Sequence, residues 1–473
     1  MSKETKNTGT AARSTFSSSL GFFLAAVGGA VGLGNVWGFP FKLGRGGGFP
    51  FLVIYVLCVF VVGVPICIAE YALGRKMRSG PVSAYKRISK KWTFLGWINM
   101  AVCIGVMGFY CLICGWLLKY ACMFALSLVG LGGDFLAMDS ATYFTAFVSK
   151  PLEPLIWTYA FMVINYLVIR KNISQGIEKS CKVMIPVLVV ILIVVAIRGC
   201  TLPGADAGLD YLFKPNMTAF NEIGFFAVFT LALVQMWFSV NIGFGTNLLY
   251  GSYLPDDTNI VKSAIIVPIA DMCVALLAGL AVMPAVFAYD LEPSTGAGLL
   301  FITLKTVFAE MPGGSFFGLI FFIAVLFAAL SSTIGMTGAI ATVGTDEFHW
   351  DNNKSSLVST IIPCIIAIPV SWGYGLLSGV RPLAFLGKDT DLLDSLDFLC
   401  ENVLATTAAL LLCIFVGWVI KPTWICEEME ASGHTFKRKK MYAFMIRYVT
   451  PIIMAVLFLQ SAGVFEMIKK LFV

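Results

Sequence analysis

An apolar stretch from about residue 20 to residue 43 carries four glycines between positions 28 and 34, followed by Asn35 and Pro40. The stretch is long enough to cross a bilayer, for which about 20 residues suffice. Each glycine in a helix interior costs about 1 kcal/mol relative to alanine, and proline about 3 kcal/mol. Freed peptide groups find no water in hydrocarbon, so a broken helix there needs protein or a hydrated cavity around it. The stretch is therefore a candidate binding site or, alternatively, a face of small residues that packs against another helix.

A second glycine-interrupted stretch lies about two hundred residues further on. Ile242-Gly243-Phe244-Gly245 repeats the pattern of Val31 to Gly34, again inside a long apolar segment, 219–254. Paired interrupted spans in the two halves of a chain are typical of secondary transporters, whose binding site lies between the two broken helices. The repeat therefore favours the binding-site interpretation.

Composition excludes a soluble globule. Of 473 residues, 58% are hydrophobic and 13% are charged, whereas soluble domains carry about 25% charged residues. The net charge of +6 calls for no nucleic-acid partner, because the basic residues lie where a cytoplasmic membrane surface favours them. The 13 cysteines lie mostly in apolar segments and predict packing rather than disulfides, and the two histidines, His349 and His434, lie in polar loops. The sequence therefore predicts a membrane protein in a lipid bilayer and not an enzyme.

Eleven membrane spans are expected. One basic link follows the second span, one follows the fourth span and one precedes the last span. All three lie on the side of residues 1–19, so the N-terminus is expected in the cytoplasm. The spans lie near 20–43, 50–74, 94–127, 153–169, 181–199, 219–254, 260–288, 313–344, 356–377, 396–420 and 442–468.

Two carboxylates and a hydroxyl cluster fall inside these spans. An ionisable group at membrane depth is costly and is a functional candidate by default. Glu70 is expected to accept hydrogen bonds from N–H groups freed where the first span breaks, unless it lies near the cytoplasmic interface. Asp271 lies among apolar residues and needs a cation, a proton or a basic partner. Ser331-Ser332-Thr333 either bonds to the preceding helical turn or supplies oxygen ligands to a cation.

Together these residues resemble the neurotransmitter:sodium symporter family, and within it bacterial amino-acid transporters of the leucine-transporter type. The resemblance covers about residues 12–470 and implies an all-α membrane protein with about 11 helices and a 5+5 inverted repeat. Helices 1 and 6 would be unwound at the midplane, with repeats at 20–199 and 219–420 and a last helix at 442–468. The features that carry it are Gly28 to Asn35, Phe39-Pro40, Gly63-x-Pro65, Glu70 with Gly74-Arg75, Tyr110 before Trp116, Ser174-x-Gly176-Ile177-Glu178, Phe238 to Gly245 and Phe327 to Ser332.

The resemblance also implies a substrate site. The substrate carboxylate would meet the N–H groups of Leu33 and Gly34 and the hydroxyl of Tyr110, because a helix N-terminus offers free donors. Its ammonium group would bind the carbonyls of Ala30, Phe238 and Ser239. The side-chain pocket would be lined by Val106, Phe238, Asn241, Phe244, Ser332 and Met336.

Two sodium ions are implied in the same way. The substrate carboxylate would itself bind the first ion, so that each ligand completes the other's site and their affinities are linked. The protein ligands of the first ion would be the Ala30 carbonyl, Asn35, Ser239 and Asp271. Those of the second would be the carbonyls of Gly28, Val31 and Ala328 and the hydroxyls of Ser331 and Ser332.

The sequence departs from the family pattern at three positions. Gly38 stands where the family usually has an arginine that pairs with an aspartate, here Asp397, so the outer gate must be rebuilt through Lys42 or water, or be looser. Asp271 stands where many members have asparagine. Its negative charge would replace the chloride ion that animal members use. The residues that correspond to the surroundings of that ion are Tyr55, Gln235, Ser239 and Ala275. Gly29 replaces a polar residue behind the pocket.

The inner gate matches the family. Arg13 and Asp346 correspond to its cytoplasmic ion pair, with Phe16 and Tyr253 beside them. Two solvated interfacial charges, worth at most about 1 kcal/mol, are the alternative.

The sequence thus predicts a sodium-coupled importer of a neutral, hydrophobic or aromatic L-amino acid, without chloride, in a prokaryotic inner membrane. A proton-coupled transporter with Asp271 as carrier is the nearest alternative. A channel would be expected to show filter repeats or rings of charge, and an intramembrane protease would need a histidine or paired aspartates in its spans. Monomer and dimer both stay open.

Overall fold

The computed structural model describes residues 15–291, 297–386, 388–431 and 433–461, and every regular element in these ranges is helical. In chain order the helices are α1 Ser19–Ala30, α2 Gly34–Arg45, α3 Phe49–Met77, α4 Pro81–Ile88, α5 Lys90–Leu128, α6 Ser140–Val148, α7 Glu153–Ile169, α8 Ile173–Cys200, α9 Ala205–Phe213, α10 Met217–Ile223, α11 Phe225–Ser239, α12 Thr246–Ser252, α13 Ile260–Ala288, α14 Leu304–Glu310, α15 Gly314–Asp346, α16 Asn352–Trp372, α17 Leu392–Val419, α18 Pro422–Glu430 and α19 Lys439–Gln460.

Within the described ranges, eight of these helices are long and apolar enough to cross a membrane. The number rises to ten if each of two bent pairs, α1 with α2 and α6 with α7, is one span. Helix α11 is apolar but shorter, and it is followed by α12 within the predicted sixth span. Within the described residues, all eleven predicted spans therefore fall on helical segments. Residues 462–468 of the last predicted span lie outside the described residues, and the count of eleven stays a prediction.

Several boundaries differ from the sequence prediction. The sixth span was predicted from residue 219, but α11 begins only at Phe225, because Gly224 has a φ of +85° that separates it from α10. Three of the segments that separate the predicted spans each contain a further helix, namely α6, α9 and α14. These helices are too short to stand out from their loops by apolar periodicity, since only nine residues or fewer carry the pattern.

The broken helix α1–α2 lies at the centre of the fold. Helix α1 packs against α8, α13 and α15, and α5 packs along α15. Helix α12 packs closely against α3, where a Cβ on Gly74 would lie 2.1 Å from the Leu248 carbonyl oxygen and one on Gly251 2.5 Å from that of Tyr71. This backbone-to-backbone approach is possible only with small residues. It fixes the second half of the broken span α11–α12 against α3.

Candidate substrate and sodium site

The first break lies between α1 and α2, whose axes are bent by 69°. Val31 ends α1 in an extended conformation, with ψ of 110°. The Leu33 N–H donates to the Tyr110 hydroxyl at 3.1 Å, and the Gly32 N–H donates to Asn35 Oδ1 at 3.1 Å. Ser332 Oγ donates to the Val31 carbonyl at 3.1 Å. Peptide groups released by the break are therefore bound by side chains of α2, α5 and α15, as buried backbone requires.

The second break separates α11 from α12 and needs backbone that few residues adopt. Asn241, Gly243 and Gly245 have φ values of +52°, +82° and +79°, the left-handed region that glycine and, less often, asparagine populate. The indole N–H of Trp237 donates to the Ile242 carbonyl at 2.6 Å, and Asn99 Nδ2 donates to the Gly243 carbonyl at 2.6 Å. At this break, too, side chains donate hydrogen bonds to the carbonyls that have left the helix.

Glu70 supports the second break, and the prediction that it supports the first was wrong. Its Oε1 accepts from the Gly243 N–H at 3.4 Å, and its Oε2 accepts from Asn247 Nδ2 at 2.9 Å. Asn247 Nδ2 also donates to the Val240 carbonyl at 2.8 Å. The cause is the close packing of α3 on α12, which brings the buried carboxylate to the turn before α12 instead of the turn after α1.

The two breaks contact each other. Asn241 Nδ2 donates to the Gly29 carbonyl at 2.5 Å. Gly34 lies against the Phe238 ring, since a Cβ on Gly34 would be 2.4 Å from Phe238 Cε1. The rings of Phe238 and Phe244 are 6.4 Å apart between centroids, in an edge-to-face arrangement. These predicted substrate residues therefore form one cluster.

The remaining pocket residues come from α5 and α15. Val106 and Met336 are buried, and the two helices that carry them pack along each other. A Cβ on Gly32 would lie 3.0 Å from both Ser332 Oγ and the Tyr110 hydroxyl oxygen. Tyr110 and Ser332 thus close over the first break from opposite helices.

Asp271 is the centre of the predicted first sodium site. It is fully buried on α13, and its hydrogen-bond donors are both neutral: Asn35 Nδ2 at 2.8 Å from Oδ1, and the Ser239 hydroxyl to Oδ2. Ala30 is the last residue of α1, where helix carbonyls lack intrahelical partners. A carboxylate, a hydroxyl and an amide oxygen are the hard ligands that an alkali or alkaline-earth cation prefers. The residues present therefore fit a cation.

The predicted second sodium site joins α1 to α15. Ser331 Oγ donates to the Ala328 carbonyl at 2.9 Å, and Ser332 Oγ lies 3.1 Å from the Val31 carbonyl oxygen and 3.3 Å from that of Ala328. A Cβ on Gly28 would be 3.2 Å from Ser331 Cβ. All five predicted ligands thus lie together. Both hydroxyls bond to the preceding turn of α15, and that of Ser332 also reaches the broken helix. Their role as cation ligands stays a prediction.

The predicted inner gate is described only in part, because Arg13 lies outside the described residues. Asp346 accepts hydrogen bonds from the Gly80 N–H at 2.6 Å and from Thr345 Oγ at 3.1 Å. The Phe16 N–H donates to the Tyr253 carbonyl at 2.8 Å, and their rings are 5.7 Å apart between centroids. Residues near the N-terminus are thereby attached to the end of α12.

Glu347 follows Asp346 just beyond α15. Partial burial opposes ionisation of Glu347, but hydrogen bonds from Lys86, at 2.5 Å, and from Ser83 hold the pKa of this carboxyl below its usual value.

The predicted outer gate has Gly38 at the position where the family usually has an arginine. Lys42 Nζ donates to Gln235 Oε1 at 2.9 Å. Asp397 lies near the start of α17, one helical turn before Glu401, which was not among the predicted site residues. The i, i+4 spacing of the two carboxylates would have identified Glu401. Asn99 and Asn247 were not predicted either, because their role depends on which turn each one reaches.

Two interrupted helices whose breaks converge, with side chains bonded to the released peptide groups and oxygen ligands beside them, define a membrane transporter of the broken-helix class. Comparison with known proteins agrees. The model of the sodium:neurotransmitter symporter family matches residues 13–129 and 150–470. The chain belongs to this family.

Individual relatives agree with this assignment. An uncharacterized sodium-dependent transporter, YhdH, of Bacillus subtilis is 33% identical over 95% of this chain and 98% of its own length. The sodium-dependent serotonin transporter of Drosophila melanogaster is 30% identical over 71% of this chain and 60% of its own length. The crystal structure of MhsT in complex with L-phenylalanine is 32% identical in sequence, with a TM-score of 0.84, and covers 95% of this chain and 100% of MhsT. The protein thus has the leucine-transporter fold and is a multi-pass, sodium-dependent transporter, not an enzyme.

Proposed function

We propose that the protein imports a neutral L-amino acid with a hydrophobic or aromatic side chain, driven by sodium. The observation that carries the proposal is the convergence of both breaks on one cluster, in which Asn241 binds the Gly29 carbonyl and Phe238 covers Gly34. The N-terminus of α2 offers peptide donors to a carboxylate, and Phe238, Phe244, Val106 and Met336 offer apolar surface. The binding of L-phenylalanine by MhsT supports the same substrate class.

In this proposal two sodium ions bind at the sites described above. Asn35, Ser239 and Asp271, with the Ala30 carbonyl and the substrate carboxylate, hold the first ion. The hydroxyls of Ser331 and Ser332, with the carbonyls of Gly28, Val31 and Ala328, hold the second. Because the substrate carboxylate is a ligand of the first ion, substrate and sodium raise each other's affinity.

Transport follows from alternating access. Residues 20–199 and 219–420 form the two inverted repeats. The bundle of spans one, two, six and seven rocks against the other spans, so that the site opens first outside and then inside. Loss of the second sodium ion separates α1 from α15 and releases the substrate to the cytoplasm, the side of the N-terminus. The sodium gradient supplies the work.

We further propose that transport is independent of chloride. Asp271 already places a negative charge beside the first ion, with Ser239 as its direct neighbour. Animal members of the family use chloride to supply that charge. A neutral side chain at position 271 would create a need for the anion.

The test is uptake of radiolabelled amino acids into proteoliposomes of the purified protein. A thermal-shift screen of the common amino acids in sodium against potassium first selects the substrate. Uptake with an inward sodium gradient, absent with potassium, supports the proposal. Uptake driven by a pH gradient without sodium would replace it with the proton-coupled alternative, in which Asp271 carries the proton.

A further inference from the structure

A groove of about 310 Å³, here called the α13 groove, opens between the start of α13 and the segment that follows α18. Its polar lining comes from Lys262, His434 and Thr435, and its apolar lining includes Ile266 and Phe436. A single water molecule needs about 10–15 Å³, so the groove has room for a much larger group. None of the described residues that line it belongs to the predicted substrate or sodium sites.

The segment between α18 and α19, which forms one wall of the α13 groove, is held by contacts on both sides. His434 Nε2 lies 2.9 Å from the carbonyl oxygen of Asp257, in the link before α13. The Phe436 N–H donates to Glu430 Oε1 at 3.1 Å, and the Phe436 ring lies edge-to-face on Tyr442, with 6.0 Å between centroids. The groove is thus preformed by contacts of the chain itself.

Positive charge at the α13 groove exceeds the negative charge beside it. The carboxylate of Glu430 is bound by Lys439 Nζ at 2.5 Å, whereas Lys262 is exposed and has no carboxylate partner among the described residues. The same is true of three exposed basic residues that follow the wall in the chain, Lys437, Arg438 and Lys440. These cations outnumber the exposed carboxylate of Asp257 nearby. Such an excess of positive charge attracts anions.

An apolar stripe runs from Lys262 along α13, one of the helices long and apolar enough to cross a membrane. Ile265, Ile269 and Met272 recur at helical spacing on one face and are only half-buried. Asp271, on the opposite face, is fully buried. Where neighbouring helices leave an apolar face of a spanning helix open, lipid chains cover it. A lysine at the end of such a stripe lies at the depth of the lipid headgroups.

We propose that the α13 groove binds the phosphate group of an anionic phospholipid, whose acyl chains lie along the apolar stripe. Lys262 and Thr435 bind the phosphate oxygens, because an ammonium group and a hydroxyl both donate hydrogen bonds. The three free cations after the wall add longer-range attraction. A free phosphate ion shares the headgroup chemistry but would leave the stripe uncovered, whereas a lipid matches both the charge of the groove and the apolar surface beside it.

The test is photolabelling of the purified full-length protein in detergent with phosphatidylglycerol that carries a diazirine in one acyl chain. Mass spectrometry of the peptides should locate the label in α13, within residues 265–276. Phosphatidylcholine with the same diazirine chain has no net charge and should label this segment about fivefold less, because each basic residue contributes about that factor to the binding of anionic lipid. Equal labelling of this segment by the two lipids would overturn the proposal.

Three variants locate the headgroup. Lys262→Gln removes the lysine charge of the groove and should lower labelling by phosphatidylglycerol about fivefold. Ile266→Trp fills the groove and keeps every charge, so it should lower the labelling as well. Lys91→Gln removes an exposed lysine that does not line the groove and should leave the labelling unchanged. Wild-type labelling of α13 in Lys262→Gln would show that the headgroup lies elsewhere.

Competition separates a lipid from a free anion. Millimolar inorganic phosphate, compared with chloride at equal ionic strength, should leave the labelling unchanged, and displacement by phosphate alone would assign the groove to a free phosphate ion and contradict the proposal. The melting temperature in detergent is a readout without photochemistry. Phosphatidylglycerol should raise it more in the wild type than in Lys262→Gln, because a ligand of the folded state stabilises that state. An equal rise in both proteins would contradict binding at the groove.

Discussion

Asn35 and Asp271 are 236 positions apart in the chain, yet Asn35 Nδ2 donates to Asp271 Oδ1 at 2.8 Å in the interior of the protein. This contact ties the turn after α1 to the middle of α13. It places the carboxylate beside the peptide groups that the break in the first span exposes. The electrostatics of the site depend on this charge, because its hydrogen-bond donors are neutral.

The first prediction concerns that charge. Asp271→Asn should slow sodium-driven uptake, and chloride should partly restore it, because an anion can replace the missing negative charge beside the first sodium site. The measurement is uptake in chloride against gluconate, with the wild type as the reference that chloride leaves unchanged. Full-rate transport by Asp271→Asn without chloride stimulation would refute the proposed role of the carboxylate.

The second prediction concerns the support of the second break. Asn247→Ala removes the donor to both Glu70 Oε2 and the Val240 carbonyl. Leaving such buried acceptors unpaired costs about 1–3 kcal/mol, so the variant should melt at a lower temperature in detergent. Asn353→Ala is the matched control, since Asn353 is exposed and bonds Tyr166 at the surface, where substitutions cost about 0.5 kcal/mol or less. Equal melting of the two variants would contradict this role of Asn247.

The third prediction concerns backbone conformation. Gly243 has a φ of +82°, and a Cβ there would lie 2.5 Å from the Ala405 carbonyl oxygen. Gly243→Ala should therefore lose transport and reduce the yield of folded protein, since both strain and a clash with backbone oppose it. Gly130→Ala tests strain alone, because Gly130 has a φ of +75° with no atom within 4 Å of a Cβ. Uptake by Gly243→Ala at the level of Gly130→Ala would rule out a packed second break.

The fourth prediction concerns the predicted inner gate. Asp346→Ala removes the acceptor of the Gly80 N–H and, by the family resemblance, the partner of Arg13. The inward-open state should gain population, so hydrogen exchange around Phe16 should rise and uptake should slow. Asp257→Ala, an exposed carboxylate on the same side, serves as the control. Wild-type exchange and uptake in Asp346→Ala would show that this carboxylate does not act as a gate.

The sequence predicted the two breaks because glycine clusters in apolar segments have few other physical explanations. Asp271 was likewise a candidate because an unpaired carboxylate among apolar residues needs a partner. Which break Glu70 supports was not predictable, since that depends on how closely α3 approaches α12. The short helices between the predicted spans were missed because their short apolar patterns resemble loop sequence. The contact of Lys42 with Gln235 also depends on packing between segments far apart in the chain.

In the proposed mechanism the unwound segments hold an amino acid and sodium together through the substrate carboxylate. Equilibrium binding of radiolabelled L-phenylalanine, or of the substrate that the screen selects, should be measured in detergent across a sodium titration at constant ionic strength. We expect that the affinity for the amino acid rises steeply with sodium and is lost in potassium, and that the amino acid raises the apparent affinity for sodium by the same factor. Amino-acid binding of equal affinity in sodium and potassium would contradict it.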